Sequence, residues 1–106
     1  MQRKVVISPF ARFADFYPFY LSQHANRTNR RLHFIGTSLG LLAVLHAFST
    51  LDFWWIVVGL ALGYGLAWIG HFFFERNKPA TFTYPLYSFM GDWMMWKDIL
   101  GGRIRF

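Results

Sequence analysis

Two long apolar runs separated by a very short connection constrain this chain more than any other feature. Residues 32–48 and 53–74 carry no Asp, Glu, Lys or Arg, and only Ser49, Thr50, Leu51 and Asp52 lie between them. Crossing roughly 30 Å of hydrocarbon takes about 20 helical residues, with about 17–25 tolerated. The second run meets that length easily and the first only just. The connection is long enough for a tight helix–helix turn. The pattern predicts a transmembrane helical hairpin, with helices over 32–48 and 53–75. Composition agrees: of 106 residues, 55% are hydrophobic and only 15% charged, against about 25% charged in an ordinary soluble domain. A soluble domain this small buries too little of its surface to hide so much apolar area.

Charge placement gives the orientation. Arg3, Lys4, Arg12, Arg27, Arg30 and Arg31 precede the hairpin, and Arg76, Lys78, Lys97, Arg103 and Arg105 follow it. The connection has no Lys or Arg, so both termini are expected on the cytoplasmic side. The net charge of +6 flanks apolar runs instead of forming a polar basic face. It therefore suits anionic lipid headgroups and not nucleic acid. There is no cysteine, which excludes disulfides, thiolate metal sites and a cysteine nucleophile. The first thirty or so residues lack the order of a signal peptide, so the chain is expected to be unprocessed.

The flanks read as amphipathic helices at the membrane surface. Residues 1–9 are a short polar start. Residues 10–25 are crowded with aromatics and contain Pro18, which predicts an interfacial helix kinked or restarted there. After the hairpin, RNKPA at 76–80 should break the helix. Residues 86–100 form a second amphipathic pattern that stops at Gly101-Gly102. The fold class is thus all-α integral membrane: a transmembrane helical hairpin flanked by interfacial helices, in a single membrane domain over 1–106.

Lipid gives helices no hydrophobic drive to associate, so small residues mark their contact. Gly36, Gly40, Ala43 and Ala47 form one stripe, and Gly59, Gly63 and Ala67 another. Each stripe continues into a histidine, His33 and His71 respectively, at the cytoplasmic end. The packing that joins the glycines should therefore bring these imidazoles together. Glu75, four residues after His71, shares its helix face. It could ligate a metal, hold an imidazole's second nitrogen, or form a surface ion pair with Arg76 or Lys78. His24 lies nine residues before His33, about 180° away on a continuous helix. The two converge only if the helix breaks between them, and Asn26, Thr28 and Asn29 are suitable break and cap residues. His46 lies about 20 Å from His33 along the helix and is expected near the outer surface. Asp92, in a Met-rich stretch, is open to a role as ligand, as a more distant partner of the site, or as a cap. Three histidines, with or without a carboxylate, leave coordination positions open on a first-row metal. The spacing does not choose between iron and zinc.

Two blocks then become familiar: FYLSQHANRTNRRLHFIGT at 19–37 and GHFFFERNKPA at 70–80. Together they resemble the 2-hydroxy fatty acid dioxygenase family, which has a fungal endoplasmic-reticulum member and many bacterial relatives. YPLYSFMGDWMMWKDILGGRI at 84–104 is similar to the C-terminal signature of the short bacterial members. The resemblance covers nearly the whole chain. It implies an Fe(2+) enzyme of fatty-acid α-oxidation, placed here in a bacterial inner membrane, that cleaves a 2-hydroxy fatty acid with O2 to the acid one carbon shorter. Its essential histidines match His24, His33 and His71 as metal ligands and catalytic residues; Asn29, Glu75 and Pro79 match the remaining motif positions, with Glu75 expected to act in catalysis and Asn29 to bind substrate. A 2-hydroxy acid can chelate iron through hydroxyl and carboxylate. Arg27, Arg30 or Arg31 could pair with that carboxylate, and the acyl tail would run into the bilayer or along the aromatic helices. Arg30-Arg31 also suits plain membrane electrostatics. Three other readings stay open: a membrane haem protein ligated by His33 and His71, a zinc lipid hydrolase with Glu75 as base, and a non-enzymatic membrane adaptor. Two spanning helices enclose little, so a homo-oligomer is a further option.

Overall fold

The computed structural model describes residues 10–106; residues 1–9, including Arg3 and Lys4, lie outside the described residues. All regular structure among the described residues is helical. Helix α1 spans Phe13–Ser22, α2 Arg27–Thr50, α3 Trp54–Ile69 and α4 Pro85–Leu100. A π-helical turn, Gly70–Glu75, prolongs α3, and a short 3-10 turn, Ala80–Phe82, precedes α4.

Helix α2 starts five residues earlier than the apolar run predicts. The reason is local: the Asn26 side chain accepts a hydrogen bond from the Asn29 N–H at 3.1 Å, which caps the first turn. The basic segment 27–31 is therefore helix and not a break, and arginine is a good helix former. At the other end Leu51 takes a left-handed conformation, φ 58°, and terminates α2. The Asp52 side chain then accepts from the Trp54 N–H at 3.3 Å and starts α3. The connection is as short as the sequence implies. Helix α1 differs from expectation at Pro18, through which it runs without restarting. The missing N–H costs one backbone bond, and burial of Phe16 and Tyr20 on either side holds the segment helical.

Helices α2 and α3 lie antiparallel with their backbones in direct contact. A β-carbon added at Gly40 would stand 3.2 Å from the Gly59 carbonyl oxygen, and one at Gly59 only 3.0 Å from that of Gly40. Gly36 meets Gly63 in the same way, at 3.1 Å. Ala43, Ala47 and Ala67 complete the buried seam. The large apolar side chains point away from it: Leu42, Leu51 and Trp54 are 61%, 74% and 67% exposed. That is the reverse of a soluble protein, where exposed apolar patches are small. Both helices, counting α3 through Glu75, are long and apolar enough to cross a membrane.

Helices α1 and α4 pack together over one end of the hairpin. Phe16, Tyr20, Ala80, Met95 and Ile99 form the buried centre there. Gly91 leaves room for the Tyr20 ring, which would lie 2.7 Å from a β-carbon at that position. Trp96 docks α4 on α2 by stacking on Phe34 and donating to the Ser38 hydroxyl at 2.9 Å. The chain after α4 turns at Gly102, φ +81°, as the Gly101-Gly102 pair predicts.

The seam yields a paired prediction. Gly59→Val forces the two backbones apart and should destabilise the protein by about 1–3 kcal/mol, read as a lower thermal midpoint in detergent. Gly65→Ala has no atom within 4 Å of its new β-carbon and should be neutral or stabilising by up to about 1 kcal/mol.

Candidate metal centre

Three segments each deliver one histidine to the junction between the hairpin and the α1–α4 layer. His33 sits in the second turn of α2. His71 sits in the π-helical turn that ends the second long helix, a wider winding found often at functional sites. His24 lies in the break between α1 and α2. The break places it there: Ser22 ends α1 and Asn26 caps α2, so the helix is interrupted between them and His24 is free to face His33, from which a continuous helix would turn it away. His24, His33 and His71 are 1%, 4% and 2% exposed. Their ring centroids stand 4.4, 4.5 and 4.8 Å apart, and one ring nitrogen from each lies within 4.8 Å of the others.

The hydrogen bonds around the rings fix their tautomers. The His24 Nδ1 faces the Tyr20 carbonyl oxygen at 2.6 Å, and the His33 Nδ1 faces that of Asn29 at 3.0 Å. The His71 Nδ1 faces the Asn77 Oδ1 at 2.7 Å. All three partners are oxygens that only accept, so each Nδ1 must carry the proton and donate it. Each Nε2 is then an unprotonated lone pair. The Nε2 atoms of His24 and His33 approach to 3.1 Å with no proton to share between them. Two lone pairs held that close repel, and a cation between them removes the repulsion. Nitrogens about 2.1 Å from a metal and about 90° apart around it would be separated by roughly 3.0 Å. Burial pushes the His24 imidazole well below its ordinary titration range, which keeps it neutral and ready to ligate. The space beside the rings is about 10 Å³, near the minimum that holds one water-sized atom. The donor set thus fits a single metal ion.

Other residues singled out in the sequence take different places. Glu75 is not part of the cluster. Its Oε1 accepts from the Asn26 N–H at 2.8 Å and from the Asn29 Nδ2 at 3.1 Å, so the carboxylate ties the π turn to the start of α2. No ion pair joins it to Arg76 or Lys78 among the described residues. Asn29 is fully buried and lies against Gly70, where a β-carbon would come within 2.1 Å of its Oδ1. The glycine before His71 is what lets the two helices close on each other there. Arg30 donates to the Ala25 carbonyl at 2.8 Å and so braces the His24 segment. Arg27 and Arg31 reach the Phe106 carbonyl at 3.4 and 3.1 Å. None of the three arginines enters the cluster. His46 is exposed at the far end of α2, edge-on to Trp55.

Asp92 is the more distant partner: its carboxylate accepts from the Tyr20 hydroxyl, and the Tyr20 ring stacks on His24 at 4.0 Å. The sequence reading missed Asn77 and Tyr20. Asn77 holds His71 with its oxygen and the Gln23 carbonyl with its nitrogen, at 3.0 Å, so it links two of the three histidine segments. The only signal for it was its position just past the break at Arg76, whose φ is 61°.

Comparison with known protein families gives a match over residues 10–104, to the family described as 2-hydroxy-palmitic acid dioxygenase Mpo1-like. The chain belongs to this family. Neither curated proteins nor solved structures gave a match. The family description concerns a dioxygenase acting on a hydroxylated fatty acid, and the buried triad is the place in this member where a metal ion could sit.

Two predictions follow from the geometry. Replacing any one of His24, His33 or His71 by alanine should abolish stoichiometric metal binding, whereas Asn77→Ala should weaken it by about 10–100-fold, both read by metal analysis after dialysis against graded chelator. The second concerns Asp92, whose pKa is pushed up to about 7 from 3.8 by burial. Folding therefore tightens its hold on a proton. Its contribution to stability is full below the unfolded value of 3.8 and is lost as pH rises through about 7. Relative to Asp92→Asn, the wild-type thermal midpoint should fall steadily across that window and level off above it.

Proposed function

We propose that the protein is an iron(II)-dependent dioxygenase that takes a 2-hydroxy fatty acid and O2 to the acid one carbon shorter. One observation carries this reading: in a chain of this family, three neutral imidazoles from separate segments aim their lone pairs at one buried point. His24, His33 and His71 would hold the ion from one side and leave its other side to the substrate. Bound iron(II) supplies Lewis acidity and the electrons that O2 chemistry requires. The chain does the positioning. The acceptors on each Nδ1 fix the imidazoles, Asn77 and Arg30 fix the loops that carry them, and Glu75 with Asn29 locks the π turn onto α2. Burial of the three rings keeps bulk water from the reacting atoms. Arg27 and Arg31, outside the cluster, act as electrostatic guides for an acidic substrate.

We further infer that the whole chain is one membrane unit. The hairpin spans the bilayer, both termini face the cytoplasm, and the metal centre lies at that face of a bacterial inner membrane. Supporting this are the outward-pointing apolar side chains and the absence of Lys and Arg from 49–52. The haem alternative fits less well, because axial ligands bind opposite faces of a flat macrocycle, whereas the His33 and His71 ring centroids stand 4.8 Å apart, too close for a macrocycle between them.

The test is turnover of 2-hydroxypalmitate by purified, iron-loaded protein, followed by mass spectrometry. The shortened acid should appear only with O2 present, and His33→Ala should reduce its formation by at least about 100-fold. Failure to form the shortened acid with iron and O2 present, together with O2-independent cleavage of a lipid ester by the zinc-loaded protein, would point to a zinc hydrolase instead. No turnover by the wild type, with cellular function intact in the His33→Ala and His71→Ala variants, would leave only an adaptor role.

A further inference from the structure

A cleft of about 120 Å³ runs along the glycine seam. It begins at His33 and Asp92, passes Thr37 and Gly40 on α2, and ends at Val44, with Leu60 of α3 as part of its other wall. Phe89 and Trp93 of α4 cover part of it. The cleft shares His33, Tyr64, Ala67 and Asp92 with the small space between the histidines, so the two lie side by side. Glycines make this possible, because the absent side chains leave bare backbone as the floor.

The lining is segregated. Polar groups (His33, Thr37, Tyr64, Asp92) gather at the metal end, and the far end offers Val44, Leu60 and glycine backbone. From His33 to Val44 is about 16 Å of helix at about 1.5 Å per residue. An extended chain of about a dozen methylenes has that length, given carbon–carbon bonds of about 1.5 Å.

We propose that this cleft holds the acyl tail of the substrate and that Val44 sets the chain length accepted. The proposal rests on the dioxygenase reading for the identity of the head group. It runs the tail along the hairpin seam under Phe89 and Trp93 of α4, and not among the rings of α1, which pack in the buried centre. The occupant is a single long saturated chain whose polar head lies at the histidines.

The test is a binding series. Saturated fatty acids of increasing length, with and without a 2-hydroxyl group, compete with doxyl-labelled stearate for purified protein, read by electron paramagnetic resonance. Affinity should rise by up to about fourfold per methylene until the cleft is full, then level off. Val44→Phe should bring the plateau at a shorter chain and Val44→Ala at a longer one. Leu42→Phe, on the outward face, should behave as wild type. If Val44→Phe fails to accumulate, Val44→Ala decides alone, because it adds no volume. A plateau unmoved by Val44→Ala, or moved as much by Leu42→Phe, overturns the proposal. A plateau that moves as described in a protein that never shortens a hydroxy acid upholds the cleft and sinks the dioxygenase reading instead.

Discussion

The contact of two bare backbones, Gly36 on Gly63 and Gly40 on Gly59, is the constraint on which the rest of the molecule depends. Side chains there would hold the helices farther apart. At the observed separation His33 and His71 point into the same small space, Asn29 reaches Glu75, and Gly70 can sit on Asn29. The same absence of side chains opens the cleft beside the seam. Packing and site are therefore one arrangement, set by where glycine falls in two apolar runs.

Much of this is legible in the sequence because the signals are periodic. A glycine–alanine stripe that continues into a histidine specifies both which faces meet and what they carry, and in an antiparallel hairpin it also specifies which end. The break needed to bring His24 beside His33 follows from helix geometry, and Asn26 supplies it. The helix boundaries were harder to read. Hydropathy marks where hydrocarbon begins, not where hydrogen bonding begins, so the polar first turn of α2 was invisible to it. Pro18 marks a missing bond that packing on both sides can override.

Contacts that follow no period in the sequence were not legible. Asn77 holds His71 and the His24 segment together, yet nothing in RNKPA distinguishes it from an ordinary polar residue after a helix. Tyr20 lies in a run of aromatics, and only the folded chain shows which ring stacks on His24. The carboxylate of Glu75 could have served an imidazole on spacing alone. In the folded chain it meets two donors at the start of α2, because the π turn and the Asn26 cap lie side by side.

The rings that line the centre are neutral, and the carboxylate that borders their space, Asp92, is taken up by the Tyr20 hydroxyl. A divalent ion held by such a set would keep its positive charge, because neutral imidazoles bring no negative charge to cancel it. An anion that can reach the ion through two oxygens cancels that charge at close range, whereas an ester or an alcohol cannot. On the proposed dioxygenase reading, selection for acids over their neutral derivatives would thus be built into the choice of ligands, before any side chain touches the substrate.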